Sequence, residues 1–286
     1  FLEAEIEDLM TQFHVPQEGL IPDDEIPTRG PAICKMGDLW QLGEHRLLCG
    51  DATKPEDLAL LLGGKQADLV FTDPPYGISI VKAVSGHISK LTGKPTRKGT
   101  VGGRGIIEPN LYPVITGDES PFNPVHLLGL APIVIIFGGN YFASRLPDSK
   151  CWLVWDKNMS PENTFSDAEL LWTNQNGHIR MYRHTWSGLV RQGSRNVESL
   201  KRLHPTQKPI GLLEQILKDF SKAKAVVLDP YGGSGSVMIA CERLGHFCYM
   251  MEIEPAYCDV IIERWQKFTG KEAVRIGQPV GGEAEG

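Results

Sequence analysis

The sequence predicts an α/β protein with a mostly parallel, doubly wound sheet covered by helices. Three observations predict it: short apolar runs alternate with helix-like segments, most runs end at a carboxylate or a glycine turn, and the segments between them have amphipathic i, i+3, i+4 spacing. The expected strands are His45–Cys49, Ala67–Thr72, Ile133–Phe137, Cys151–Trp155, Ala225–Leu228 and His246–Met251. The expected helices are Pro55–Leu62, Pro209–Phe220, Ser236–Leu244 and Pro255–Phe268. Because ligands of such sheets bind beyond the carboxyl ends of the strands, residues there are the first site candidates.

Composition limits the class of protein. The chain has 286 residues, 41% of them hydrophobic, which is enough for one main core. Its net charge of -6 argues against nucleic-acid binding by net charge alone, so any basic surface must be local. No apolar run approaches the roughly 20 residues of a membrane span, and the six cysteines form no CxxC pair. We therefore expect a cytoplasmic protein with no membrane association and no metal site.

The predicted organisation has three parts. Residues 1–32 are expected to form an N-terminal helix and a Pro-rich linker, residues 33–276 the main domain, and residues 277–286 a disordered tail. Within the main domain, residues 77–110 resemble a mobile basic loop. We expect the tryptophans at 152, 155 and 172 to pack in the core.

A glycine-rich turn opens the helix at Ser236. The turn consists of Asp229, Pro230, Tyr231, Gly232, Gly233, Ser234 and Gly235. Its glycines let a ligand approach backbone amides, and the next strand ends at Glu252, which can accept both ribose hydroxyls of an adenosine. The dinucleotide fingerprint requires a third glycine where this chain has Met238, so an adenosine-bearing cofactor without a clear phosphate site, S-adenosylmethionine, is favoured. The alternatives are a dinucleotide loop or a plain tight turn, with Glu252 a solvated acid.

A second motif, Asp73-Pro74-Pro75-Tyr76, follows an expected buried strand. The prolines fix φ and remove backbone donors, so the turn holds Asp73 and Tyr76 in set places. The exocyclic amine of adenine or cytosine is a poor nucleophile until acceptors hold its hydrogens, and the Asp73 carboxylate and Pro74 carbonyl would supply them. Tyr76 would stack on a base flipped out of the duplex. The alternative is an ordinary proline-terminated surface turn.

Together with His204-Pro205-Thr206-Gln207-Lys208-Pro209, these two motifs resemble the beta class of N6-adenine/N4-cytosine DNA methyltransferases. The match runs from about Gly37 to Thr269, and the catalytic motif precedes the cofactor loop, as in that class. The resemblance implies a Rossmann-like S-adenosylmethionine-dependent methyltransferase fold, circularly permuted, with the strand before Asp51 beside the strand that ends at Glu252.

The resemblance also implies roles for individual residues. Asp229 and the glycine-rich turn, where Tyr231 replaces the more usual Phe, would hold the methionine part of the cofactor, Glu252 the ribose and Asp51 the adenine edge. Asp73 belongs to both the catalytic and the cofactor-binding set. The residues that would close over the cofactor are His204, Thr206 and Lys208. The family further suggests a homodimer, a role in restriction-modification, and a ParB-like domain ahead of residue 1, as in phage-type fusions.

Two basic stretches are candidate contacts to double-stranded DNA. Residues 77–107 contain no Asp or Glu, and from this loop we expect phosphate contacts by Lys82, Lys94, Arg97 and Lys98. Residues 158–203 fall where the beta class has its target-recognition segment, and arginines beside aromatics suit base edges and stacking. The candidates there are Arg180, Arg183, Trp186 and Arg191. The alternative is solvated loops that do not contact DNA.

The favoured function is site-specific methylation of the exocyclic amine of a flipped base, adenine N6 before cytosine N4 because of the Asp form of the motif. An NAD-dependent oxidoreductase would share the sheet and the ribose carboxylate, but it leaves Asp-Pro-Pro-Tyr unexplained. A methyltransferase acting on RNA or on a protein amide nitrogen faces the same chemical problem. A non-enzymatic DNA-binding module predicts basic surface without a cofactor pocket.

Overall fold

The computed structural model describes residues 18–20, 26–27, 30–78, 116–158, 166–185 and 207–277. The described residues fall into two compact units, one within 1–74 and 124–286 and one within 75–123. In the second unit, the Asp118 carboxylate accepts hydrogen bonds from the backbone N–H groups of Gly77 at 2.8 Å and Ile78 at 3.1 Å. Every helix and strand named below belongs to the first unit.

The described part of the chain forms one sheet of ten strands. In chain order they are β1 Leu39–Leu42, β2 His45–Cys49, β3 Leu69–Thr72, β4 Ile133–Phe137, β5 Trp152–Asp156, β6 Ala168–Thr173, β7 Arg180–Arg183, β8 Val226–Asp229, β9 Phe247–Glu252 and β10 Val274–Gly277. Their spatial order is β10-β1-β2-β9-β8-β3-β4-β6-β5-β7. The five central strands, β2, β9, β8, β3 and β4, are all parallel, and antiparallel pairs flank them on both sides. The prediction of a mostly parallel α/β sheet is confirmed.

Four α-helices accompany the sheet in the described residues. They are α1 Pro55–Leu62, α2 Ile210–Phe220, α3 Ser236–Leu244 and α4 Pro255–Thr269. Proline begins α1 and α4, where a missing backbone donor costs nothing, and α4 ends at Gly270 with φ 72°, a left-handed conformation that glycine adopts without strain. Among the residues described, no helix has the length and apolar character that crossing a membrane would require.

The strand register confirms the predicted permutation. Strands β2 and β9 are parallel neighbours, with Cys49 opposite Glu252. Strands β8 and β9 are also parallel, with Asp229 opposite Met250. The strands before Asp51 and Asp73 and those ending at Asp229 and Glu252 therefore all finish at one edge of the sheet, which we call the carboxyl edge.

Four strands were not expected from the sequence: β1, β6, β7 and β10. Strands β6 and β7 lie inside residues 158–203, so the segment assigned to target recognition also contributes to the sheet. Strand β10 extends to Gly277, one residue past the expected end of the main domain. Trp155 and Trp172 are buried in the core as predicted, and Trp152 is half-buried. The expected N-terminal helix, most of the basic loop and the tail after Gly277 lie outside the described residues.

Candidate active site

Four acidic side chains mark the carboxyl edge. Asp51 follows β2, Asp73 follows β3, Asp229 ends β8 and Glu252 ends β9. Asp229 and Glu252 are only 2% and 8% exposed, whereas Asp51 and Asp73 are partly exposed. The predicted cofactor acids are therefore brought to one edge, two of them in the protein interior.

Asp229 is held by two donors. Its Oδ1 atom accepts hydrogen bonds from the Thr72 hydroxyl at 2.6 Å and from the backbone N–H of Tyr231 at 3.2 Å. Burial, reinforced by the charges of Asp73 and Glu252, raises the pKa of Asp229 to about 7 despite these hydrogen bonds.

Glu252 is bound to the glycine-rich turn. Its Oε2 atom accepts a hydrogen bond from the Gly233 N–H at 2.7 Å, and its Oε1 atom accepts one from the Glu254 N–H at 2.9 Å. Burial raises the pKa of Glu252 to about 7. Gly232 packs so closely that a Cβ atom would lie 2.7 Å from the Met250 side chain, so a side chain at this position would push the turn away from β9.

The donor set fits the predicted cofactor. Within the described residues, the contacts of Asp229 and Glu252 come from backbone amides and one hydroxyl, and neither acid forms an ion pair. Buried acids without a cation are costly unless a ligand brings positive charge or hydroxyl donors. S-adenosylmethionine carries an ammonium group, a sulfonium and two ribose hydroxyls, so Asp229, Glu252 and the turn between them suit it chemically.

Asp51 and Tyr231 form the next part of the site. The Asp51 Oδ1 atom accepts hydrogen bonds from the Thr53 backbone N–H at 2.9 Å and from the Thr53 hydroxyl at 2.7 Å. Burial raises the pKa of Asp51, but the Thr53 hydrogen bonds and nearby positive groups outweigh burial, so its pKa lies below the ordinary value. The Tyr231 hydroxyl lies 3.0 Å from His126 Nε2, a contact that the more usual Phe could not make. Sequence reasoning missed His126, which no motif marks.

Asp73, the predicted catalytic acid, has a lysine partner. The Lys208 ammonium donates to Asp73 Oδ2 at 2.5 Å and lies 3.5 Å from Glu169 Oε2. Burial lowers the pKa of Lys208, but Asp73 and Glu169 outweigh burial, so its pKa is raised and the ammonium persists. The sequence assigned Lys208 to the cofactor, and the structure places it against Asp73. Sequence reasoning missed Glu169 because it belongs to β6, which was not expected.

Three further residues of the predicted catalytic motif follow Asp73 in the sequence. Pro74 is buried in the first unit, and Pro75 and Tyr76, in the second unit, are partly buried. The roles of the Pro74 carbonyl and the Tyr76 ring remain predictions.

Two of the residues expected to contact DNA, Arg180 and Arg183, lie in the described part of the chain. Arg183 ends β7, is 74% exposed, and donates to the Asp156 carboxylate at the end of β5 over 3.2 Å. Arg180 begins β7 and lies 3.4 Å from Asp219 near the end of α2. The other expected DNA-binding and cofactor-closing residues lie outside the described residues: Lys82, Lys94, Arg97, Lys98, Trp186, Arg191, His204 and Thr206.

The chain is similar to known DNA methyltransferases. The N6/N4 family model, described as DNA methylase, matches residues 145–263. The Type II methyltransferase M2.DpnII of Streptococcus pneumoniae is 25% identical over 234 residues, which are 69% of this chain and 81% of that protein. The Type II methyltransferase M2.MboI of Moraxella bovis is 26% identical over 135 residues, 41% of this chain and 50% of that protein. The crystal structure of the M1.HpyAVI-SAM complex is 17% identical with a TM-score of 0.42 and covers 76% of this chain and 98% of that one.

The matched residues include Lys208, the glycine-rich turn and Glu252, which build the site described above. Over these residues the chain is therefore similar to the N6-adenine/N4-cytosine DNA methylases, and the donors at its carboxyl edge suit S-adenosylmethionine.

Proposed function

We propose that the protein methylates the N6 amine of adenine in double-stranded DNA after the base is flipped from the helix. The observation that supports this proposal is the position of Asp73. Its carboxylate follows β3 at the carboxyl edge, and β3 is the parallel neighbour of β8, which ends in the cofactor acid Asp229. An acceptor for the amine and a cofactor cradle thus belong to adjacent strands.

Asp73 and the Pro74 carbonyl act as acceptors in this proposal. The lone pair of an exocyclic amine is delocalised into the base ring, and acceptors on its hydrogens favour rehybridisation of the nitrogen toward attack. S-adenosylmethionine supplies the electrophilic methyl group when bound. Lys208 fixes one oxygen of Asp73 at 2.5 Å, which orients the carboxylate. Tyr76 stacks on the flipped base.

The cofactor cradle is proposed residue by residue. Asp229 takes the ammonium group, the turn at Gly232 and Gly233 lies against the methionine part, Glu252 accepts the ribose hydroxyls, and Asp51 accepts from the adenine edge. The raised pKa values of Asp229 and Glu252 support this assignment, because a cationic ligand would offset the cost of ionising them in the interior. His204 and Thr206 close over the cofactor.

Adenine is preferred because the motif begins with Asp73, a form more typical of adenine enzymes in the family that the sequence resembles. Cytosine N4 is the second candidate, since its amine needs the same two acceptors. We also propose that the protein belongs to the beta class, that its methyltransferase domain comprises residues 33–276, and that it forms a homodimer. A part in restriction-modification is also proposed, because both relatives are named Type II methyltransferases.

We further propose that the loop lysines Lys82, Lys94 and Lys98, with Arg97, contact phosphates, and that residues 158–203 read the sequence. Arg183, at the carboxyl edge, is the described residue best placed to do so. Trp186 and Arg191 complete the set. Arg180 begins β7 and is paired with Asp219, so its contact with DNA requires that pair to open.

The experiment uses tritium-methyl S-adenosylmethionine and unmethylated genomic DNA, followed by nucleoside digestion and mass spectrometry. N6-methyladenine is the expected product. N4-methylcytosine would retain the mechanism and correct the base, whereas labelled RNA or protein without labelled DNA would contradict the proposed substrate.

Replacing Asp73 tests its role directly. Asp73→Ala should lower methyl transfer at least about 100-fold, the size of effect seen when one polar group that stabilises a transition state is lost. Its Kd for the cofactor, measured by calorimetry, should stay within about threefold, because the cradle acids remain. Glu263→Ala is the control, since this exposed carboxylate pairs with Lys267 on α4. Transfer by Asp73→Ala at the wild-type rate would exclude Asp73 as the amine acceptor.

A further inference from the structure

Four charged side chains of alternating sign extend from the catalytic turn into the sheet: Asp73, Lys208, Glu169 and Lys157. The Lys208 ammonium lies 2.5 Å from Asp73 Oδ2 and 3.5 Å from Glu169 Oε2. The Lys157 ammonium lies 2.8 Å from Glu169 Oε1. Two cations and two carboxylates balance each other, so the group is neutral as a whole.

The fold explains how Glu169 reaches the catalytic acid. Strand β6 runs antiparallel to β4, so its first residues lie at the carboxyl edge, and Glu169 is paired with Trp155 of β5. The Oε2 atom of Glu169, which faces Lys208, is buried. Lys208 is 8% exposed and lies over the Phe137 ring, 5.0 Å from its centroid. Packing therefore restricts the ammonium to the space between the two carboxylates.

We propose that Glu169 is a positioning residue for methyl transfer, which holds the Lys208 ammonium so that it binds Asp73 through Oδ2 and fixes the rotation of that carboxylate. This inference rests on the proposed role of Asp73 as the amine acceptor. An ammonium bound by Asp73 alone could shift from Oδ2 to Oδ1 and compete with the amine for that second oxygen. Attraction by Glu169 keeps the ammonium on the Oδ2 side, so Asp73 stays oriented and remains an acceptor for the base.

Lys157 binds the second carboxylate oxygen of Glu169, the one that does not face Lys208. It follows β5, lies over the Trp155 ring at 5.1 Å, and donates to the Oε1 atom of Glu169. Burial raises the pKa of Glu169, but Lys208 and Lys157 outweigh burial and hold that pKa below its ordinary value. Glu169 therefore remains a carboxylate at neutral pH and keeps attracting Lys208.

The test is a double-mutant cycle between Glu169→Gln and Lys208→Met, measured as kcat and KM on DNA at saturating cofactor. Glu169→Gln removes the charge and keeps the shape, and it should lower kcat about tenfold, within the range that loss of catalytic positioning produces. The cofactor Kd should change less than about twofold, because Glu169 does not touch the cradle. In the Lys208→Met background the same substitution should change kcat less than about twofold, since Glu169 acts through Lys208.

The matched control is Glu263→Gln, which removes a carboxylate from the exposed Lys267 pair and should leave kcat unchanged. A wild-type kcat for Glu169→Gln would overturn the inference, and so would an equal loss in both Lys208 backgrounds. If Glu169→Gln does not fold, Lys157→Met replaces it, and an unchanged kcat in that variant would also overturn the inference. Full activity of Asp73→Ala would contradict the proposed function itself, whereas an inactive Asp73→Ala with an unaffected Glu169→Gln would contradict only this inference.

Discussion

The acids Asp229 and Glu252 at one edge of the sheet have different partners from Glu242 at the opposite edge. At the carboxyl edge, Asp229 and Glu252 meet only backbone amides and one hydroxyl among the described residues. At the other edge, where the strands begin, Glu242 of α3 meets three side-chain donors. The pKa of Asp229 and of Glu252 is raised to about 7, and that of Glu242 is lowered to about 2.

The contacts of Glu242 account for the difference. The Cys248 N–H donates to His45 Nδ1 at 2.9 Å, so the proton of a neutral imidazole lies on Nε2, which donates to Glu242 at 2.8 Å. Trp265 Nε1 donates at 2.9 Å and the Lys271 ammonium at 3.2 Å. Burial raises the pKa of Glu242, but these donors outweigh burial. Glu242 is thus bound by side-chain donors of the fold, whereas the described donors to Asp229 and Glu252 are backbone amides and one hydroxyl.

The proposed cofactor cradle would account for this difference. A buried acid without a cationic partner costs free energy in the ligand-free protein. The same acid can accept the positive charge and hydroxyl donors of the cofactor.

Asp229→Asn should have the largest effect, which is a loss of affinity for the cofactor. The amide oxygen can keep both hydrogen bonds that Oδ1 accepts, so the fold is preserved while the charge is removed. We expect the Kd for S-adenosylmethionine at pH 8 to rise about 10- to 150-fold, since a hydrogen bond to a charged group is worth about 1.5–3 kcal/mol. Isothermal titration calorimetry measures this change. An affinity within twofold of wild type would remove Asp229 from the cradle.

Glu242→Gln should lower the stability of the fold and leave cofactor binding unchanged. It should lower the free energy of unfolding at pH 7.5 by about 1–3 kcal/mol, because a buried charged hydrogen-bond network loses its acceptor charge. Urea unfolding gives this value, and the cofactor Kd should stay within twofold. Glu263→Gln, at an exposed pair on α4, is the control and should cost less than about 0.5 kcal/mol. A destabilisation no greater than the control would contradict the structural role of Glu242.

The smallest effect concerns the pH dependence of stability. Unfolded Asp and Glu release their protons near their ordinary pKa values of 3.8 and 4.5, while folded Asp229 and Glu252 keep theirs up to about 7. Their contribution to stability is therefore fully present below pH 4 and is lost as the pH rises to about 7. Asp229→Asn should make this fall shallower by about 1 kcal/mol per pH unit, as measured by denaturant unfolding of the cofactor-free protein. An unchanged slope would show that Asp229 ionises at its ordinary pKa.

The sequence was most informative for the central sheet. Strands β2, β3, β4, β8 and β9 are apolar runs that end at turns or acids, and their parallel arrangement follows from the helices between them. The bounds of α1 and α3 were predicted without error, because proline and glycine mark their ends. The central fold, and the placement of four acids at its carboxyl edge, could thus be predicted from local signals.

The flanking strands could not be predicted in this way. The exposure of Arg180, Met181 and Arg183 on β7 leaves only Tyr182 as a buried position, so no apolar run marks the strand. Strand β6 begins with Ala168 and Glu169, which read as a polar turn. The contact between Lys208 and Asp73 joins residues 135 positions apart and depends on side-chain packing, which no motif spacing specifies.

The most direct test of the contrast between the two edges is the pH dependence of the cofactor Kd. If Asp229 and Glu252 must ionise to bind S-adenosylmethionine, the wild-type Kd should rise at least about tenfold between pH 7.5 and pH 5.5, since pKa values near 7 leave both acids mostly protonated at the lower pH. Glu242→Gln should follow the wild-type curve, and the curve of Asp229→Asn should be flatter. A wild-type Kd that stays constant over this range would contradict the proposal that the carboxyl edge holds its acids for the cofactor.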